Sequence, residues 1–283
     1  MRRTLLTATL VLVGALAACE SSGDSPVVAP LPDGVAMHLD QSRTERMGRE
    51  VFVRVENGTR QRLVVEALSL TSPRLPTTTR TGDETVEPGY EGDLELDLPT
   101  GRCGTAIDAS VTLRYRLGDG AVTTSTAPAD DVYGAVALLA DRDCAASTLT
   151  AAADVSVGAP RVVGRGRASV LQLPVTLTPT GRTTGTRFAG FESTVLFRQT
   201  ADSPADVSVP LDAGSPATTQ VLSVVPSRCD PHALAEDKVG TLFGVRVRGT
   251  GLADDAAYYL PLTREQRSAF FDFFATHCGL SRP

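Results

Sequence analysis

LPTGRC, residues Leu98–Cys103, and VPSRC, residues Val225–Cys229, are two versions of one phrase, and the segments downstream of them are also alike. An alternating apolar segment comes next, VTLRYR (Val111–Arg116) in the first copy and TLFGVRVR (Thr241–Arg248) in the second. A helix-like run then closes each copy on a second cysteine: DVYGAVALLADRDC, ending at Cys144, and REQRSAFFDFFATHC, ending at Cys278. The cysteine spacings are 41 and 49 residues. Four cysteines permit three pairings, and spacing alone does not choose among them. The repeat does: a duplicated module implies equivalent bridges, Cys103–Cys144 and Cys229–Cys278. Closing loops of this length stabilises each module by about 4 kcal/mol on the chain-entropy account.

Working outward, the remaining pattern is β. VFVRVE (Val51–Glu56) alternates apolar and polar, Asn57-Gly58 supplies a type I′ hairpin pair, and Leu63–Leu70 continues. In the second copy VLQLPVTLT (Val170–Thr178) alternates likewise, and Pro174 inside it predicts an edge or bulged strand. Thr194–Arg198 and Val207–Leu211 are further short candidates. No βαβ alternation occurs, and GRGRAS (Gly164–Ser169) lacks the third glycine of a phosphate loop.

Helix is predicted twice. Thr263-Arg-Glu-Gln266 is a capping box, followed by Phe270, Phe271, Phe273 and Phe274 and by Gly279 as C-terminal cap. A phenylalanine stripe of this kind reads as packing rather than as a ligand groove, and the first copy uses Val and Leu instead. Asp130 or Asp131 caps the earlier helix. The expected fold is mainly β, two tandem sandwiches at 34–148 and 149–283, each ending in a short helix tied by a disulfide. Strand pattern and spacing resemble immunoglobulin-like modules, although the chain has no Trp.

The first residues give an address. Arg2 and Arg3 precede an apolar run, Leu5–Leu16, too short to span a bilayer, and Leu16-Ala17-Ala18-Cys19 follows. This resembles the lipobox of bacterial lipoproteins. The resemblance implies a signal peptide at 1–18, lipid on Cys19, and a membrane-anchored protein on the extracytoplasmic face, tethered through a polar segment at 19–33. The near-exclusive use of arginine over lysine looks actinobacterial. Oxidising conditions outside the cytoplasm agree with the two bridges. Processing takes the formal charge from −6 to −8, which argues against nucleic acid or anionic lipid as a partner.

Catalytic chemistry has little to work with. The histidines are His38, His232 and His277, and no G-x-S-x-G, S-x-x-K or H-E-x-x-H occurs. The expectation is therefore no enzyme and no cofactor, but a binding or scaffolding module for an envelope protein or polymer. The alternative is copper or zinc binding by His232, His277 and Asp230, drawn to one end of the second module by Cys229 and Cys278. Met37, His38 and Met47 are a second set for copper(I).

Overall fold

A computed structural model describes residues 29–280 except 105, 107, 236 and 238; Cys19, the signal segment and residues 19–28 of the tether lie outside it. The first strands are β1 (Val35–Asp40), β2 (Glu50–Asn57), β3 (Leu63–Ser72), β4 (Leu75–Val86), β5 (Glu91–Asp97), β6 (Ser110–Leu117) and β7 (Thr123–Pro128). Helix α1 (Ala135–Ala152) runs directly into β8 (Ala153–Val157). Then come β9 (Arg161–Val163), β10 (Val170–Pro179), β11 (Arg187–Phe191), β12 (Phe197–Gln199), β13 (Val209–Pro210) and β14 (Thr218–Pro226). Helix α2 (Pro231–Ala235), β15 (Gly244–Arg248), β16 (Ala257–Tyr259) and α3 (Arg264–Cys278) complete the chain.

All named strand pairs are antiparallel, and they form four sheets, in the orders β1-β2-β5, β4-β3-β6-β7, β12-β14-β10-β8 with β9 beside β10, and β13-β11-β15-β16. The first two paths recur in the last two, β8-β10-β14 matching β1-β2-β5 and β13-β11-β15-β16 matching β4-β3-β6-β7. The alternation is strict where a sheet has one wet face: β2 reads intermediate-buried throughout, placing Val51, Val53 and Val55 inside. Buried apolar side chains gather in two clusters, one around Leu63, Leu68 and Leu113, the other around Phe188, Phe197 and Phe243.

Three sequence expectations change. Asn57-Gly58 is not a hairpin: β2 pairs with β1 and β5 while β3 pairs with β4 and β6, so the chain changes sheet there. The reason is the Asn57 side chain, which is buried and donates from Nδ2 to Gln61 O and Val86 O, both at 2.8 Å. It stitches the corner instead of turning a hairpin, and Gly58 keeps an ordinary negative φ. Nor is β10 an edge strand. It is central, and Pro174 sits where its neighbour on one side changes from β9 to β8. Its missing N–H faces that gap, while its carbonyl accepts from Gly158 N–H at 2.8 Å. Residues 29–31 of the expected tether are also docked: Ala29 bridges Ser125, whose hydroxyl donates to Pro30 O at 3.0 Å, and Leu31 packs on the core.

Helix α1 is longer than its sequence run implied. Asp131 does cap it, accepting from Ala135 N–H and Val136 N–H, but the helix passes Cys144 and ends at Ala152. Ala135, Val136 and Leu139 belong to the first cluster, Ala145, Leu149 and Ala152 to the second. The expected boundary at 148/149 thus falls within a helix that serves both cores. Helix α3 begins at the reciprocal Thr263–Gln266 capping box and stops at Gly279, φ 68°. Phe270, Phe273 and Phe274 are buried around Phe197, with ring centroids 5.4–6.5 Å from it, and Phe271 is partly buried. The stripe is core.

Candidate functional site

The disulfides pair as the repeat implied, with Cα–Cα distances of 5.3 Å for Cys103–Cys144 and 5.2 Å for Cys229–Cys278. The first joins the loop after β5 to α1, and the second joins the loop after β14 to α3.

Around Cys229–Cys278 the histidines do not assemble a metal centre. Among the described residues no group of three or more His, Cys, Asp or Glu side chains could hold a metal ion. Asp230 is occupied by its own turn, accepting from His232 N–H at 2.9 Å and lying 3.8 Å from Arg228. His277 points elsewhere, its Nδ1 3.2 Å from Ser169 Oγ and its ring against Phe273. The proposed ligand set His232, His277 and Asp230 is therefore not brought together. The second set fails for a simpler reason. Met37 faces the core and His38 the opposite side of β1, with Met47 exposed on a loop.

Ser169 and His277 invite a nucleophile–base reading, which the polarity of the contact opposes. The buried Ser169 hydroxyl donates to Gly166 O at 2.6 Å, so Nδ1–H of His277 donates to the serine. A base would have to accept there. Burial lowers the His277 pKa first, and the guanidiniums of Arg167 and Arg198 lower it further. His38 lies between Asp130, 2.7 Å from Nδ1, and Glu56, 3.3 Å from Nε2, as an exposed ion pair.

The densest polar construction lies on α1, in three consecutive residues. Asp141 meets the nearly buried Arg74 at 2.7 Å. Arg142 donates to Arg46 O and to Gly48 O, and its guanidinium lies 5.9 Å from the Tyr259 ring centre across in the second half of the chain. Asp143 takes both Arg49 Nη1 and Nη2, at 2.8 and 2.9 Å, together with Gly101 N–H at 2.8 Å. Alongside is a cavity of about 140 Å³ lined by Arg46, Asp141, Arg142, Glu192, Asp255 and Tyr259. Burial raises the Glu192 pKa there, Arg246 opposing and Asp255 adding to the shift. Burial lowers that of Arg142.

The outer face of the β1-β2-β5 sheet is acidic. Register places Glu50 opposite Asp97 and Glu56 opposite Glu91, with the Phe52–Glu95 and Arg54–Asp93 pairs between. Like charges directly opposite destabilise a sheet. Glu95 raises the Glu50 pKa most, followed by burial, Glu45 and Asp97. A larger open cavity of about 920 Å³ lies between Thr71, Ser110, Pro128 and Ala137.

None of the junction residues was singled out from sequence. D-R-D on a helix is ordinary until its hydrogen-bond partners, 42 to 96 positions away, are known. Arg167 was visible in GRGRAS, but only as a failed phosphate loop.

No family model matches the chain and no curated protein sequence is similar to it. Solved structures give faint likenesses. An Amycolatopsis orientalis exo-chitosanase is 17% identical over 80% of this chain and 26% of its own, at a TM-score of 0.21. CBD12 from CALX1.2 is 12% identical over 81% of this chain and 88% of its own, also at 0.21. The BSP domain of a biofilm associated protein is 9% identical over 88% and 60%, at 0.22. The chain thus spans about a quarter of the chitosanase. At these TM-scores the likenesses carry nothing about what this chain does.

Proposed function

We propose that this chain is a cell-envelope lipoprotein, anchored through lipid on Cys19 at the extracytoplasmic face. Its two tandem Ig-like sandwiches act without catalysis as a stiff binding or scaffolding module for an envelope protein or polymer. The observation that carries this reading is α1. It leaves the first core, holds Asp141, Arg142 and Asp143 in contacts with Arg74, Arg46 and Arg49, and enters β8 of the second core with no intervening linker. Modules joined by a short flexible linker reorient freely; a shared helix transmits position. A tethered chain that spends a helix and two disulfides on stiffness suits the presentation of surface at a set distance and angle. The recurring strand path supports the duplication, and the acidic β1-β2-β5 face offers a basic partner a surface whose like-charge pairs it would relieve.

The test is affinity capture from detergent-solubilised envelope with the full lipidated chain. A partner retained by the wild type, and lost in a Glu95→Lys/Asp97→Lys variant, supports the reading. Reproducible absence of any partner, with turnover of a wall substrate, overturns it.

A further inference from the structure

The net charge of the chain conceals a division. Residues 34–148 carry 18 acids against 12 arginines, whereas residues 149–283 carry 12 acids against 13 Lys and Arg. Within that second half, basic groups converge on the end closed by Cys229–Cys278. A single 3-10 turn at Gly166–Ala168, preceded by Arg165, carries Arg167 and packs against α3. Ser169 pins the turn to α3 through His277, and Arg167 Nη1 reaches Cys229 Sγ at 3.5 Å. Arg198 arrives from β12, opposite Val225 of β14, the strand that leads through Arg228 into Cys229.

Some surface arginines are matched: Arg54 meets Asp93 and Glu91, Arg62 meets Glu87, Arg114 and Arg116 meet Glu66, and Arg248 meets Asp206, while others such as Arg60 and Arg182 are exposed without a carboxylate partner among the described residues. Arg165, Arg167 and Arg198 are exposed and have no carboxylate partner among the described residues. Asp230, a nearby acid on the same loop, is already taken by Arg228 and by the His232 N–H. After burial, which lowers the His277 pKa most, the charges of both Arg167 and Arg198 act on that ring, in keeping with their place at this end of the sandwich.

We propose that the disulfide-closed end of the second sandwich binds a phosphate-bearing anion, held by Arg167 and Arg198. The planar fork of each arginine presents parallel N–H donors to two oxygens. A single carboxylate satisfies one such fork; a tetrahedral, multiply charged phosphate, or a chain of phosphodiesters, satisfies several at once. The disulfide and the Ser169–His277 contact hold the turn, so the arginines are carried on a fixed frame. Free phosphate, a phosphate polymer and a phospholipid headgroup all present this chemistry.

The experiment uses the full chain with Cys19→Ala, so that no acyl anchor contributes. Calorimetric titration with pyrophosphate and with polyphosphate is run at low ionic strength, where exposed charges are least screened. Flotation with phosphatidylglycerol vesicles, against phosphatidylcholine vesicles, tests the lipid source. Saturable binding is expected in at least one arm, weakened about tenfold or more in Arg167→Gln/Arg198→Gln, since each substitution removes a charge-assisted contact. Both side chains are exposed, so the variant should keep its melting temperature, and Arg60→Gln/Arg182→Gln should bind like the parent. The proposal is overturned by absence of binding in every arm. It is equally overturned if the Arg167/Arg198 variant binds as well as its parent, or no worse than the Arg60/Arg182 control.

Discussion

Replacing Asp143 by asparagine should loosen the junction between the two cores by a calculable amount. The carboxylate is 12% exposed and its partner Arg49 is 31% exposed. Asparagine keeps an oxygen for Gly101 N–H but turns an NH₂ toward the guanidinium, setting donor against donor. Hydrogen bonds to charged groups are worth about 1.5–3 kcal/mol each way. A fully buried pair broken on one side costs about 3–5 kcal/mol. Here Arg49 retains its bonds to Leu98 O and Pro99 O and a water-facing edge, which places the cost nearer ~2 kcal/mol. For a chain of this size that is a fall of about 4–8 °C in melting temperature. Thermal unfolding followed by circular dichroism, with both disulfides intact, reads it directly. A cycle with Arg49→Gln should give a coupling of about 1 kcal/mol or more, because the two side chains touch through two bonds. If Asp143→Asn melts within about a degree of wild type, or the single effects simply add in the double variant, the ion pair does not hold the helix and the stiff junction is refuted.

Three further outcomes are expected. Phe197→Ala removes the ring at the centre of Phe243, Phe270, Phe273 and Phe274 and should cost about 3–5 kcal/mol in urea unfolding, whereas Phe271→Ala should cost clearly less. His277 should titrate below 6.5 by NMR, and its midpoint should rise in Arg167→Gln/Arg198→Gln without reaching the value of a free histidine, since burial is the larger cause. The folded state then binds fewer protons than the unfolded chain, so the stability His277 contributes is present above pH 6.5 and is lost as pH falls through its lowered midpoint. Cys19→Ala should move the protein from the membrane fraction to the soluble one, and unchanged membrane retention would contradict the lipobox reading.

The elements most legible in sequence were those whose signals are complete within a few residues. Thr263 and Gln266 satisfy each other across one helical turn, and Gly279 adopts the left-handed cap that its identity permits, so α3 was readable to its ends. The bridges were readable because duplication supplied a second copy to compare. The basic end was half legible: GRGRAS displayed two arginines, but nothing in its neighbourhood announced Arg198, 31 positions beyond Arg167 in the chain and on another strand. The metal reading failed from a related cause. A disulfide brings two Cα atoms to about 5 Å, yet leaves the side chains of residues flanking each cysteine free to point apart.

Asn57-Gly58 and Pro174 mark the limit most clearly. Alternation tells which side of a strand is buried, because successive side chains point to opposite faces; it carries no information about which strand lies alongside. Residue chemistry alone therefore established a mainly β chain, two disulfide-closed loops, the capped aromatic helix and an N-terminus that resembles a lipidated one. Tertiary packing decided that Asn57 turns a corner between sheets, that Pro174 fits a central strand at a gap between partners, and that α1 belongs to both cores. Those outcomes depend on contacts between residues far apart in sequence, where the burial of one surface is determined by what another segment places against it.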